Sequence, residues 1–563
     1  MFSYLKKLIF ILRQNNIKVF YFLIFISLFI TFLEILVIST LPGLFQIINE
    51  GGVPKNYDKL FKLKEYFNTE LSNLHFIVLV LIILSLLKFL VSLIYLNLST
   101  KYIFQNLKKI TTKIYENILS KEYLEFIKKD TSHYLKNIIN EPSFFSSNVF
   151  LPFFLIIPDI IILISYLVFL TIYNLEITIF VSVFLIFVSY FYFSFYKTKL
   201  SNFIEQRQIS NENFIKIVKD SFSLFKEIKF LKFDLKFLSN LKIHLNNFFN
   251  PQEKVIIITQ TPRIFMEFIG IVLISAIIIF SDIIFDDQNI IVSLGVFFVI
   301  LIKLIPIFNK LVSNIQILNS QKKVLNEIYE SIKVIPNKKE FFKLNNFKKE
   351  IKMNLNFDYE KKVIFKNLNF NIYKNQIVGL IGKSGSGKTT LIDILLGLIK
   401  MPNGKIFIDD IDVSNKNLDL SNLMTVVPQN IHLLNTSLKN NITLNFFTED
   451  NIDQNRLNKS INLAGLKNLV DNKGIDMVVG ENGSNLSGGQ SQRIGIARAI
   501  YQNKKIIIFD EFTSSLDDET ESKIIESLIK LKEENLTMVI STHKKKLLYI
   551  CDNVYDLSNN ENN

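Results

Sequence analysis

Gly382-Lys383-Ser384-Gly385-Ser386-Gly387-Lys388-Thr389-Thr390 fits the phosphate-loop pattern G-x-x-x-x-G-K-[ST]. An apolar run, Gln376-Ile377-Val378-Gly379-Leu380-Ile381, precedes it and reads as a buried strand. Leu391-Ile392-Asp393-Ile394-Leu395-Leu396 follows and reads as a helix. The chemistry needs this order. Glycines let successive backbone N–H groups turn inward as an anion nest, and the helix N-terminus adds partial positive charge. Lys388 is placed to reach the β- and γ-phosphates of a nucleotide, and the Thr389 hydroxyl to ligate Mg²⁺. A Gly/Ser-rich turn can match such a pattern by chance; the flanking strand and helix argue against that here.

Further motifs lie downstream. Ile506-Ile507-Ile508-Phe509-Asp510-Glu511 reads as a buried strand ending in two acids. Asp510 suits the Mg²⁺ shell, and Glu511 suits polarisation of an attacking water. Leu486-Ser487-Gly488-Gly489-Gln490 stands before a helix and offers a second anion site at a helix N-terminus. Its plainer reading is a helix cap.

With 563 residues the chain is long enough for several domains. Its hydrophobic content of 49%, its 53 Phe and its mean hydropathy of +0.29 mark it as partly embedded in a membrane. The net charge of +13 would suit nucleic acid. The excess lies beside apolar runs, however, where membrane proteins hold cytoplasmic Lys and Arg, so no nucleic-acid partner is expected. Cys551 is the only cysteine, which excludes an intrachain disulfide and a cysteine-peptidase domain in the first half.

From the N-terminus, residues 1–18 predict an amphipathic helix on the cytoplasmic membrane surface rather than a signal peptide. Six runs then approach the ~20 residues a spanning helix needs. They are Val19–Phe45, Phe76–Leu96, Val149–Ile172, Ile177–Phe195, Val255–Phe280 and Ile290–Ile315. Segments 99–148 and 197–254 are long and rich in Lys, while the short loop Ser281–Asn289 carries three Asp and no base. The basic bias places both termini, the two long loops and the nucleotide module in the cytoplasm. Segment 46–75 is then external, with a short surface helix expected at Asn56–Asn68.

Apolar residues at helical spacing, such as Ile110, Ile114 and Ile118, predict that the long loops continue the spanning helices. Tyr123-Leu124-Glu125-Phe126 and Phe222-Ser223-Leu224-Phe225 interrupt the charge at their turns. These stretches suit either packing within the loop or docking onto the nucleotide module. The expected organisation is an all-α six-helix membrane domain over 1–330, a charged linker over 331–349, and an α/β P-loop ATPase domain over 350–563.

In motif order, residues 350–558 resemble the cassette of ATP-binding cassette (ABC) transporters. Gly382 to Thr389 is similar to the Walker A loop, and Leu486 to Gln490 to the signature, with Gly480-Glu481-Asn482-Gly483 before it. Asp510 and Glu511 resemble Walker B and the catalytic glutamate. The resemblance implies further roles. Tyr359 would stack on adenine, Gln429 would sense Mg²⁺ and water, and Asp517 would belong to the loop crossing a dimer. His543 would be the switch histidine at the γ-phosphate, although Lys544-Lys545-Lys546 departs from the commoner sequence after it. It implies ATP and Mg²⁺ as cofactors, with Lys388, Glu511 and His543 in the chemistry and Thr389, Gln429 and Asp510 around the metal. A single cassette per chain implies a dimer, either of two copies or with a related chain. Six spans fused ahead of one cassette resemble an exporter-type half-transporter of a bacterial inner membrane. An ATP-gated channel is the alternative of another class.

Phe32-Leu33-Glu34, Thr261-Pro262-Arg263-Ile264-Phe265-Met266-Glu267 and the external segment resemble flippases of lipid-linked oligosaccharides. Exporters of lipids, lipopolysaccharide precursors or drugs are the other readings. Charges within the spanning runs need partners or water. Glu34 could pair with Lys88, and Arg263 with Glu267 one helical turn away. Lys303 and Lys310 share a face of the sixth run, which holds no acid. Lys88, Arg263, Lys303 and Lys310 are therefore expected to line a cavity that attracts an anionic head group.

Overall fold

An apolar run of twenty residues has no polar face to offer water, and only a helix satisfies its backbone in lipid. Six long helices form over the six runs in a computed structural model of the chain. It describes residues 2–559, apart from 14–16, scattered positions between 51 and 70, and residues 174, 280–289, 334–340, 345, 360–361, 401–402, 415, 447–451 and 514–517. The expected surface helix Asn56–Asn68 and the loop Ser281–Asn289 fall largely or wholly outside the described residues.

The first span is Ile17–Ser39, continued by Leu41–Glu50. The second is the 47-residue helix Asn73–Leu119, whose N-cap Ser72 accepts from the His75 amide. At 1.5 Å per residue it is ~70 Å long, well beyond a ~30 Å hydrocarbon core, so half of it is a shaft outside the lipid. The third runs from Thr131 to Tyr173 with two π-helical turns, Lys136–Asn140 and Ser146–Phe150, on either side of Glu141–Phe145. The fourth is Leu175–Ser223, the fifth Asp234–Ile279 and the sixth Ile290–Ser320. Among the described residues, five helices are apolar and long enough to cross a membrane. Leu175–Ser223 contains the fourth expected run.

The long loops are helical extensions because polar residues at helical spacing pair across them. Lys216 donates to Asp130 at 2.9 Å, Lys136 to Glu212 at 3.0 Å, and Asn140 to Asn211 at 3.2 Å. Gln208 donates to Glu141 at 3.3 Å, and the Arg207 guanidinium stands 3.7 Å from the centre of the Phe144 ring. The N-terminal helix Phe2–Arg13 forms as expected, but its apolar face does not lie free for lipid. Leu8, Ile11 and Leu12 are buried in a cluster with Tyr102, Phe145, Phe150, Val324 and Leu325. Protein contacts offer that face tighter packing than a head-group layer.

The chain divides into two compact units, residues 1–121 with 128–336, and residues 122–127 with 337–563. The second holds a parallel sheet ordered β11-β4-β10-β9-β8, from β4 (Ile377–Ile381), β8 (Met424–Val427), β9 (Ile506–Asp510), β10 (Thr537–Ser541) and β11 (Asn553–Asp556). An antiparallel sheet is ordered β3-β2-β5-β6, with β2 (Glu350–Tyr359), β3 (Lys362–Tyr373), β5 (Asn403–Ile408) and β6 (Ile411–Asp412). β1 (Phe342–Lys343) pairs with β7 (Leu418–Asp419). Isoleucine and valine fill β4, β9 and β10 because both faces of this sheet are covered. The short helix Tyr123–Ile127 belongs to this unit: Leu124 packs on its core and Glu122 lies 3.6 Å from Lys400.

Candidate functional site

Ligands bind at the carboxyl ends of the strands in an open parallel sheet. The order β4-β10-β9-β8 sets four such ends side by side. The phosphate loop follows β4, His543 follows β10, Glu511 follows β9 and Gln429 follows β8. At Gly387, the N-cap of the helix Lys388–Leu395, φ is 94° and an added Cβ would stand 2.7 Å from Ile364. Only glycine suits both the left-handed backbone and the close approach.

Lys388 opens that helix with its side chain turned back under the loop. Its ammonium donates to the carbonyl of Gly382 at 2.8 Å and more weakly to that of Lys383 at 3.4 Å. It also stands 3.2 Å from Glu511 Oε1 and 2.9 Å from His543 Nε2. Glu511 is the meeting point. Gln429 Nε2 donates to its Oε2 at 3.2 Å, and His543 Nε2 lies 3.3 Å from Oε1. The Glu511 backbone is left-handed, with φ of 43°, and its amide donates to the Ser541 carbonyl at 3.1 Å. Such a conformation costs on the order of 1–3 kcal/mol and clusters at active sites, where it aims a side chain.

Burial raises the Asp510 carboxyl above its ordinary range, the charge of Glu511 raises it further, and Lys388 and Thr389 oppose both. Asp393, on the helix behind the loop, is pushed up to about 6 by burial and then by Asp510. Sequence reasoning passed over Asp393; its one signal was an acid inside an apolar helix. A carboxylate, a hydroxyl and an amide from Asp510, Thr389 and Gln429 are hard oxygen donors. They leave room for phosphate oxygens, so they fit Mg²⁺ bound together with a nucleotide.

At the signature, Ser487 caps the helix Gly488–Tyr501 through a full capping box. The Gln490 amide donates to Ser487 Oγ at 3.2 Å, and the Ser487 amide donates to Gln490 Oε1 at 3.0 Å. The plain cap is therefore real, and Gln490 is engaged in it. Ser487 and Gly488 nonetheless stay exposed, and an added Cβ on Gly488 would meet nothing within 4 Å. Nothing in the fold of this chain requires glycine there, so the helix end is left open. Lys383, Ser384, Gly385 and Ser386 lie in the phosphate loop, while Thr390 and Gly489 stand in the first turns of the helices that follow the two motifs. Tyr359 ends β2 opposite Lys362; its side chain, and all of Asp517, lie outside the described residues.

Four spans meet in the membrane unit at Glu34. Its carboxylate accepts from Lys88 of the second span, Tyr166 of the third and Lys303 of the sixth, the last at 3.1 Å. Lys303 is thus answered by an acid on a different helix. Lys310 interacts electrostatically with Asp159 of the third span. The Arg263 side chain lies outside the described residues, and with it the expected pairing to Glu267.

Residues 365–514 match the ABC transporter family. Over 94% of its length the chain is similar to the structure of a bacterial Atm1-family ABC exporter with ATP bound. The TM-score is 0.76, the identity 17%, and 93% of that protein is covered. The chain has the fold of an ABC exporter half-transporter. Among curated relatives, the chain is 34% identical over 213 residues to the ATP-dependent lipid A-core flippase of Pasteurella multocida, covering 37% of this chain and 36% of that one. It is 38% identical over 188 residues to that of Coxiella burnetii, covering 33% and 32%. The chain thus spans about a third of the length of the curated relatives it matches.

Proposed function

We propose that this half-transporter hydrolyses ATP to move an anionic amphipathic substrate across a bacterial inner membrane. The observation that carries this reading is the convergence of Lys388, Gln429 and His543 on Glu511, in a chain whose other unit has six long helices. Thr389, Gln429 and Asp510 would hold Mg²⁺, which would supply neutralisation of the phosphate charge. Lys388 leaves Glu511 for the β- and γ-phosphates, and the freed carboxylate orients the attacking water. His543 meets the γ-phosphate. The open end of the signature helix suits a nucleotide held by a second copy of the chain, so the working unit is a homodimer with the cassettes and termini in the cytoplasm.

The cargo we favour is a lipid-linked oligosaccharide or polysaccharide precursor. Lys88, Arg263, Lys303 and Lys310 give the membrane unit four cations, and lysine suits phosphate as a point charge. The names of the relatives favour a second reading, a lipopolysaccharide precursor. Lipids co-purified with the Glu511→Gln protein and identified by mass spectrometry separate the two. Neutralising Lys303 and Lys310 together to Gln should abolish translocation while basal ATPase persists. Translocation of an anionic lipid at the parental rate by that double variant would remove Lys303 and Lys310 from the substrate path and favour a drug exporter.

A further inference from the structure

The four-helix meeting at Glu34 has one acid and two bases. Its carboxylate side chain is 4% exposed, while those of Lys88 and Lys303 are 33% and 34% exposed. Tyr166 is buried and donates to the same carboxylate oxygen as Lys303. The acid is therefore pinned on the buried side, and the two ammonium groups flank it on the open side. A pair serving only to neutralise Glu34 needs one lysine. The second leaves a net positive charge, which a spanning segment holds only at a cost unless something answers it. Each ammonium has three donors and, among the described residues, meets Glu34, which leaves donors for a group arriving from the open side.

From this arrangement, and resting on the anionic-cargo reading above, we propose that Glu34 is a built-in counter-ion that competes with the cargo. In the empty transporter it holds Lys88 and Lys303 together and keeps them from scattering to other partners. A phosphate or diphosphate then takes over part of their charge without displacing a buried atom. Lys88, Tyr166 and Lys303 come from three helices. A shift of the spans that brings the lysines back onto Glu34 weakens the hold on the cargo and favours its release. Tyr166 is a positioning residue: its hydroxyl spreads the carboxylate charge and fixes the acid, so that Glu34 does not follow the lysines towards the ligand.

The test measures binding and translocation with the full-length protein in nanodiscs and proteoliposomes, the cassette filled with excess ADP for binding. Farnesyl diphosphate is the lipid probe and inorganic pyrophosphate the free one. Glu34→Gln removes the competitor, so farnesyl diphosphate should bind about tenfold tighter, within the range typical of coupled sites, and translocation should slow. Tyr166→Phe strengthens the competitor and should weaken binding several-fold. Unchanged or weaker binding in a folded Glu34→Gln protein overturns the proposal. Should that variant not fold, unchanged or tighter binding by Tyr166→Phe overturns it. Lys88→Gln and Lys303→Gln keep the two failures apart. If both bind the lipid probe like the parent, these lysines are not the head-group site on which the anionic-cargo reading rests; if they weaken but Glu34→Gln does not tighten, only the counter-ion is lost. Pyrophosphate bound as well as farnesyl diphosphate assigns the site to the free anion; the lipid probe alone assigns it to a head group.

Discussion

Glu511 joins Lys388, Gln429 and His543 in the candidate nucleotide site, so its replacement is the sharpest chemical probe. Glu511→Gln keeps the side chain's size and should keep ATP binding, but turnover should fall about a hundredfold or more as the water loses its polariser. Lys388→Ala should instead weaken nucleotide binding itself. Parental hydrolysis by Glu511→Gln would show the base to be elsewhere. Asp393 gives a second, pH-dependent expectation. Its folded carboxyl is raised to about 6 from 3.8, so the folded form binds the proton more tightly than the unfolded form. Its contribution to stability is present below about pH 4 and is lost as the pH rises to about 6. Without nucleotide, Asp393→Asn should therefore melt higher than the parent at pH 8, and the gap should close towards pH 4. An equal gap at both pH values would refute the assignment. The residues of the nucleotide site were legible because they sit in contiguous motifs. Asp393 was not, because its burial is set by strands distant in sequence. Nor was the Glu34–Lys303 contact, which joins positions 269 apart.

Hydropathy located the helices well, because twenty apolar residues admit few other structures. The helical extension of the loops also followed from spacing such as Ile110, Ile114 and Ile118. The two π-helical turns around Glu141–Phe145 carry no composition signal; in the first, Lys136 and Asn140 pair with Glu212 and Asn211 of the next span. Packing of the N-terminal helix against protein rather than lipid was equally hidden, since an amphipathic pattern does not say what covers it. At the loop turns, two short helices form, Tyr123–Ile127 and Phe225–Phe230. The first belongs to the cassette unit through Leu124 and Glu122. On the second loop Phe222 and Phe225 are 74% and 57% exposed, more apolar surface than a finished interface leaves. Our hypothesis is that they dock into a cassette groove near Gln429. Replacing both by Ser should leave nucleotide affinity intact and lower the substrate moved per ATP hydrolysed. An unchanged ratio would remove that role.

At the scale of the whole molecule, the cassette and the intramembrane charges call for each other only if ATP drives transport. On the proposed reading, the open signature helix serves a second cassette and the Glu34 cluster an anion. Sequence motifs announced the first need. The lysines of the spanning runs suggested the second as well; the fold adds that Lys88 and Lys303 share one acid, Glu34. The most direct measurement is ATP-dependent translocation of an anionic lipid-linked substrate in proteoliposomes containing only this chain. Movement should require hydrolysis, stop in the Glu511→Gln protein, and proceed in fixed ratio to ATP consumed, even against a gradient. Movement that only runs down the gradient, or that continues with Glu511→Gln once ATP is bound, would contradict the account and identify an ATP-gated channel.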